Sequence, residues 1–171
     1  MVSTLSPKRN LREFASYIWF AALVGLGGVV AFTLFQFALP RPQFVNLGPT
    51  SQFQTDQPAY LAIRESGQAL FLWVVNLEDG LHVFDARATH PAARSQNCIV
   101  EWVPKSTSSF PGRNYFLDPC IGGYWWASGE QFGGPAPRDL DWYASEVREG
   151  DLWIDVMNPR EGQPWWEKQQ S

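Results

Sequence analysis

From Ala15 to Pro40 the sequence reads ASYIWFAALVGLGGVVAFTLFQFALP, 26 positions without a charged side chain. Wound as an α-helix this run is about 39 Å long, more than the roughly 30 Å hydrocarbon core of a bilayer. A cleaved signal peptide has a shorter apolar core followed by a small-residue cleavage site, whereas this run continues through Phe32, Phe35 and Phe37 to Leu39. A buried helix of a soluble domain is the other alternative, and the length favours a retained transmembrane helix over 15–40. Lys8, Arg9 and Arg12 precede the run and only Arg41 follows it closely. The positive-inside rule then places 1–14 in the cytoplasm and the rest of the chain on the extracytoplasmic, periplasmic side of the cell membrane as a single-pass protein. Within the run, Ala21/Gly25 and Gly27/Ala31 are small-xxx-small pairs, the spacing that lets a second helix approach closely in lipid; chance is the equal alternative, since Gly and Ala are common in membrane helices.

The stretch SPKRNLREF before the run resembles a twin-arginine export signal with Lys8 in place of the first Arg. After it, PRP at 40–42 and QFVNLGPTSQ read as a stiff, then polar, neck linker over 41–52, because proline fixes φ and restricts its predecessor. A head domain is expected from about Phe53 to residue 158. Strands are predicted at Ala59 to Arg64, Ala69 to Val75 and Leu81 to Ala86, with turns at ESG and LEDG, and a last hairpin in DWYASEVREGDLWIDV turns at Glu149-Gly150. No helix-period stretch competes outside the apolar run, so the expected fold is an all-β head, an antiparallel sandwich, behind one N-terminal transmembrane α-helix. Residues 87–137 form an insertion rich in Pro, Gly, Ser and aromatics, the texture of a region where function sits. The tail, 159–171, is polar apart from Trp165-Trp166, which would anchor at a membrane interface or partner, or dock on the head.

Charge and composition narrow the function. A net charge of -4 and pI near 5.1, with neither a Walker-type loop nor a helix-turn-helix pattern, argue against a nucleic-acid partner. The nine Trp exceed what an ordinary head of this size needs, so many rings are expected in a core or an interface. The two cysteines, Cys98 and Cys120, both fall in the insertion, on the side of a membrane where disulfides persist. A disulfide is the favoured reading and two buried free thiols the alternative. Paired C-x-x-C or C-x-H ligand motifs are absent, which argues against a zinc or iron site.

The order of parts resembles the Rieske iron–sulfur proteins of cytochrome bc-type quinol:cytochrome oxidoreductases. The likeness runs from about Arg12 to Val156 and is carried by WVVNLEDGLHVFDARATH, CIVEW and GPAPRDLDWYASEVREGDLWIDV. It implies a Rieske-like base domain at 53–158 with an inserted loop subdomain at 87–137. It also implies two loops that elsewhere supply one Cys and one His each to a two-iron two-sulfur cluster. On this chain the first-loop ligand positions fall on Ala88 and His90, the second-loop positions on Asp118 and Ile121, and the family's disulfide pair on Cys98 and Cys120. One ligand type of the four remains. Ala offers no lone pair, and a lone carboxylate is a hard ligand for a soft iron–sulfide core. Seven residues, PAARSQN, separate His90 from Cys98, where the family has two. The expectation is a degenerate site without cluster, catalytic residue or metal, kept together by its disulfide, with Ile121, Tyr124, Trp125 and Trp126 as candidates to fill the vacated volume.

His90 would be a hydrogen-bond donor to a quinone on the functional reading; a loop histidine with no special duty is favoured. A single-metal site from His90 and Asp118 has too few ligands, and His82, on a strand, is expected to face solvent. Three functions stand at this point. The first is a membrane-anchored, pseudo-Rieske structural or accessory subunit of a respiratory or photosynthetic electron-transfer complex, packed against cytochrome b-like transmembrane subunits and the lipid bilayer. The second is a redox-active Rieske subunit with an atypical cluster, and the third a membrane-anchored ligand-binding module. A structural head needs no swinging neck, so a fixed neck at Pro40 to Pro42 is expected.

Overall fold

The computed structural model describes Trp19 and residues 24–34, 42–65 and 67–168. The chain divides into two units, Met1–Arg41 and Pro42–Ser171. In the first, Trp19 and residues 24–34 are helical and exposed. Among the described residues no helix is long and apolar enough to cross a membrane. The remainder of the 15–40 run, Ala21 of the first small-residue pair, and Pro40 and Arg41 of the neck lie outside the described residues.

The second unit is built on a six-stranded antiparallel sheet. Its strands are β1 (Phe44–Pro49), β2 (Ala59–Glu65), β3 (Gln68–Leu77), β4 (Gly80–Asp85), β9 (Trp142–Arg148) and β10 (Asp151–Arg160), in the order β1-β10-β9-β4-β3-β2. The predicted strands at 59–64, 69–75 and 81–86 are all present, each shifted or extended by one or two residues at its ends. The β9–β10 hairpin pairs Arg148 with Asp151 around Glu149 and Gly150. Both turn residues have positive φ, 53° and 90°, the conformation that lets a two-residue loop match the twist of its strands.

The head begins earlier than the sequence suggests. Residues 44–49, read as neck, form β1 and pair with β10 from Phe44↔Asp155 to Pro49↔Asp151. Val45 and Leu47 pack on the core, an alternation that the polar residues between them conceal. The head also ends later, because β10 runs to Arg160 and the following residues are pinned. Asp139 N–H donates to the Gln163 carbonyl, and Gly162 N–H donates to Asp141 Oδ1 at 3.1 Å.

The insertion is a second sheet rather than a set of loops. Four strands of three residues, β5 (Glu101–Val103), β6 (Tyr115–Leu117), β7 (Tyr124–Trp126) and β8 (Gln131–Gly133), pair antiparallel in sequence order. Two short helices also stand against the all-β expectation for the head: α1 (Pro91–Ser95) and α2 (Trp165–Lys168). Neither is long enough to produce the apolar periodicity by which helices are recognised.

Two cores result, with β3 between them. Leu70, Leu72 and Val74 point into a core shared with Phe53, Val83, Tyr143, Leu152 and Ile154. Val75, with Trp73 and Leu77, points the opposite way, into a core with Phe84, Val100, Phe116 and Trp125. A strand buried on both faces explains why ALFLWVVNL is a continuous apolar run rather than an alternating one. Complete burial of side chains such as Leu72 and Val74 stabilises the fold by about 1.5–3 kcal/mol each.

Candidate functional site

The two cysteine-bearing segments meet. Cys98 and Cys120 form a disulfide with Cα atoms 6.4 Å apart, joining positions separated by 22 in sequence. The first segment leaves β4 and pairs briefly with its own continuation: Ala88 N–H donates to the Cys98 carbonyl and Val100 N–H to the Ala86 carbonyl, 2.9 and 2.8 Å. Between these rungs PAARS winds into α1. Proline occupies its first turn, where an N–H would have no partner. His90 is the N-cap, its Nδ1 accepting from Ala92 N–H at 3.2 Å. Most of the PAARSQN stretch between His90 and Cys98 is thus taken up by one helical turn, which ends at Asn97 with φ 54° before Cys98.

The second segment is closed by Asp118. Its carboxylate is 1% exposed, and Oδ1 accepts from Cys120 N–H at 2.9 Å. Its backbone carbonyl accepts from Gly122 N–H, and its own N–H donates to the Gly123 carbonyl. Oδ2 is buried without a hydrogen-bond partner.

The GPAP stretch at 134–137 closes over both segments. Gly134 has φ 77°, and a Cβ there would collide with the Gly122 carbonyl, so the glycine is sterically required. The Arg138 carbonyl then accepts from Thr89 Oγ1 at 3.1 Å and from Trp125 Nε1 at 3.0 Å. One backbone oxygen ties the first loop to the small sheet.

Of the predicted positions, Ala88 is fully buried and belongs to the insertion core, and Ile121 packs partly buried against it. Among the four candidate volume-fillers, Trp125 is fully buried, while Ile121, Tyr124 and Trp126 are half-buried. Trp126 stacks on Phe132 at 3.6 Å between centroids, and Phe110 meets Tyr115, Tyr124, Trp126 and Phe132 edge-on. His82 is partly exposed as expected, but it is not idle: Nε2 lies 2.9 Å from Asp79 Oδ1 and the ring stacks on Phe84. The hydrogen bond and charge of His82 hold the Asp79 carboxyl below its ordinary value. Trp165 and Trp166 remain 45% and 47% exposed. The tail docks through other groups, with Trp165 N–H donating to the Pro137 carbonyl and Lys168 Nζ to Asp139 Oδ1 at 2.8 Å.

A network of charges beside the first loop escaped the sequence reading. Asp85 and Asp141, both nearly buried, are bridged by Arg94 of α1, at 3.2 and 2.6 Å. Arg87 adds a forked pair to Asp85, and Arg138 one to Asp141. Burial pushes the Asp141 carboxyl up, but the Arg138 hydrogen bonds, the Gly162 N–H and Arg94 outweigh it and leave it below the ordinary value. Hydrogen bonding to Asp85 raises Arg87 further. The signal was present in DAR and PRDLD, where charges interrupt apolar strand ends, but single residues of this kind ordinarily read as solvated.

Among the described residues, Cys98, Asp118 and Cys120 are grouped closely enough to suggest metal ligation, with donor atoms within 4.8 Å of one another. In the disulfide form neither sulfur is a thiolate, the form in which cysteine ligates metals.

No family model matches the sequence, and no curated protein matches it. Among solved structures, the chain is similar to the cyanobacterial plasma membrane Rieske protein PetC3 from Synechocystis PCC 6803. The identity is 22%, over 66% of this chain and 99% of that one, with a TM-score of 0.47. It is also similar to a chain of a hyperthermophilic respiratory complex III, at 22% identity over 80% and 98% of the two chains, with a TM-score of 0.43. A chain from the complex of reduced oxygenase and oxidized ferredoxin in carbazole 1,9a-dioxygenase is 17% identical over 72% and 100%, with a TM-score of 0.47. All three TM-scores lie below 0.5, so residues of this chain carry its functional reading.

Proposed function

We propose that this chain is a membrane-anchored, Rieske-like accessory subunit of a cytochrome bc-type electron-transfer complex, in which the former cluster loops hold structure instead of carrying electrons. The observation that carries the reading is the fate of the four ligand positions. Ala88 has no donor atom and is packed in the core, Ile121 is an apolar packing residue, and the Nδ1 of His90 is engaged as a helix cap. Asp118 brings one carboxylate, half of which is engaged by Cys120 N–H. These residues do not fit a two-iron two-sulfur cluster, whose irons need two thiolates and two imidazoles in a Rieske centre.

What such a site would need for support alone is retained: the Cys98–Cys120 staple, the GPAP closure and the hydrogen bonds converging on the Arg138 carbonyl. The anchor would be the 15–40 helix, with 1–14 cytoplasmic and the head extracytoplasmic, an assignment that the disulfide supports. Its partners would then be cytochrome b-like transmembrane subunits and the surrounding lipid.

Iron and acid-labile sulfide per chain, with low-temperature EPR after reduction, test the proposal on the full-length protein freed from its partner subunits. No iron and no Rieske-type signal are expected. Stoichiometric iron with such a signal would overturn the ligand assignment and make the chain an electron carrier.

A further inference from the structure

Asp118 is the one described side chain with a buried, unpartnered polar atom, and it lies against the disulfide. A buried carboxylate oxygen without a partner is costly and rare in a settled fold. A carboxylate oxygen of Asp118 and both sulfurs lie within 4.8 Å of one another, with Asp118 and Cys98 buried and Cys120 exposed. We infer that reduction of the Cys98–Cys120 disulfide unmasks a divalent-metal site of the zinc class, with the two thiolates and the Asp118 carboxylate as protein ligands and an open fourth position toward solvent at Cys120.

The chemistry balances with a dithiol as reductant. A thiolate of the dithiol attacks the exposed Cys120 sulfur, the S–S bond breaks, and Cys98 leaves as the thiolate. The second thiol of the reductant then closes on the mixed disulfide and releases Cys120. Two electrons and two protons have passed to the protein, and the reductant is left as its own disulfide.

What remains is a pair of sulfurs beside a buried carboxylate. A divalent ion displaces the two thiol protons and gives the spare Asp118 oxygen a partner. Two thiolates and one carboxylate suit zinc, which takes sulfur at about 2.3 Å and oxygen at about 2.0–2.2 Å in tetrahedral sites. Two sulfurs bound to one such ion sit about 3.8 Å apart, a separation that cysteines with Cα atoms 6.4 Å apart reach by side-chain rotation. His90 is not among the grouped donors, and its Nδ1 caps α1.

This inference rests on Cys98, Cys120 and Asp118 and does not depend on the accessory-subunit reading. The test is a titration of full-length, iron-free protein in detergent with Co²⁺ under anaerobic conditions, before and after reduction by a phosphine. Expected is one Co²⁺ per reduced chain, with a thiolate-to-cobalt charge-transfer band and tetrahedral visible bands, none in the oxidised chain, and affinity for Asp118→Asn lower by about tenfold or more. Equal binding by the oxidised chain, no charge-transfer band in the reduced chain, or equal affinity in Asp118→Asn would each overturn it. Where far-UV circular dichroism shows that reduction unfolds the head, added Zn²⁺ restores the native spectrum if the inference holds and leaves it unfolded if it does not.

Discussion

The large sheet and the small one are stabilised by different means. The six-stranded sheet rests on aliphatic residues from strands of six to ten residues, among them Leu70, Leu72, Val74, Leu152 and Ile154. The four-stranded sheet has strands of three residues, too short for ladder hydrogen bonds alone to hold them. Its order comes from Trp125 and Phe116 in the core, the disulfide, and the charges that clamp α1. A region held by a few specific contacts can be dismantled by single substitutions, whereas one held by many interchangeable methyl groups loses stability in smaller steps.

The sharpest way to break this contrast is Trp125→Ala. Removing a fully buried indole costs about 3–5 kcal/mol, and native-state hydrogen exchange should then lose protection across β5–β8 while β2 and β3 keep theirs. Equal loss in both sheets would mean that they form one cooperative unit. Replacing both cysteines by alanine comes next, at about 3 kcal/mol for a loop of this size, read as a lower urea midpoint with the same regional pattern of exchange.

Asp141→Asn is expected to cost about 2 kcal/mol, below a fully buried pair because its arginine partners are partly exposed. The pH dependence follows from the direction of its shift. Because the folded carboxyl sits below its unfolded value, its contribution is complete above the unfolded pKa of about 3.9 and is lost as pH falls through the folded one. Thermal melts from pH 7 to pH 2 should show an acid loss in the native protein that is shallower in Asp141→Asn; identical slopes would remove the network from the account. The smallest effect belongs to the large sheet. Glu149→Asn, at a residue with positive φ, should stabilise the hairpin by about 0.5 kcal/mol, measured as a slight rise in melting temperature.

The same difference decided what was legible in the sequence. ALFLWVVNL and DWYASEVREGDLWIDV announce strands because apolar residues recur over lengths where periodicity can be seen, and Glu149-Gly150 marks their turn. The disulfide followed from two cysteines and a family resemblance. β1 was hidden because Asn46, Gly48 and Pro49 dilute its pattern, and its pairing with β10 is more than a hundred residues distant in sequence. The helix α1 depends on a histidine cap and a proline at its first turn, and a single turn is too short to show a helical period in the sequence. The Asp85–Arg94–Asp141 bridge joins three segments that no local pattern connects.

β3 also bears on how such a protein changes over generations. Its even-numbered residues serve one core and its odd-numbered residues the other, so mutations accumulating in the insertion are felt first at Trp73, Val75 and Leu77 of β3 and at Phe84 of β4. A lineage can exchange side chains of the insertion core while the aliphatic residues on the opposite face of β3 are inherited unchanged. The strand acts as a firebreak, and neutral drift on one side of it leaves the other side free to remain under selection.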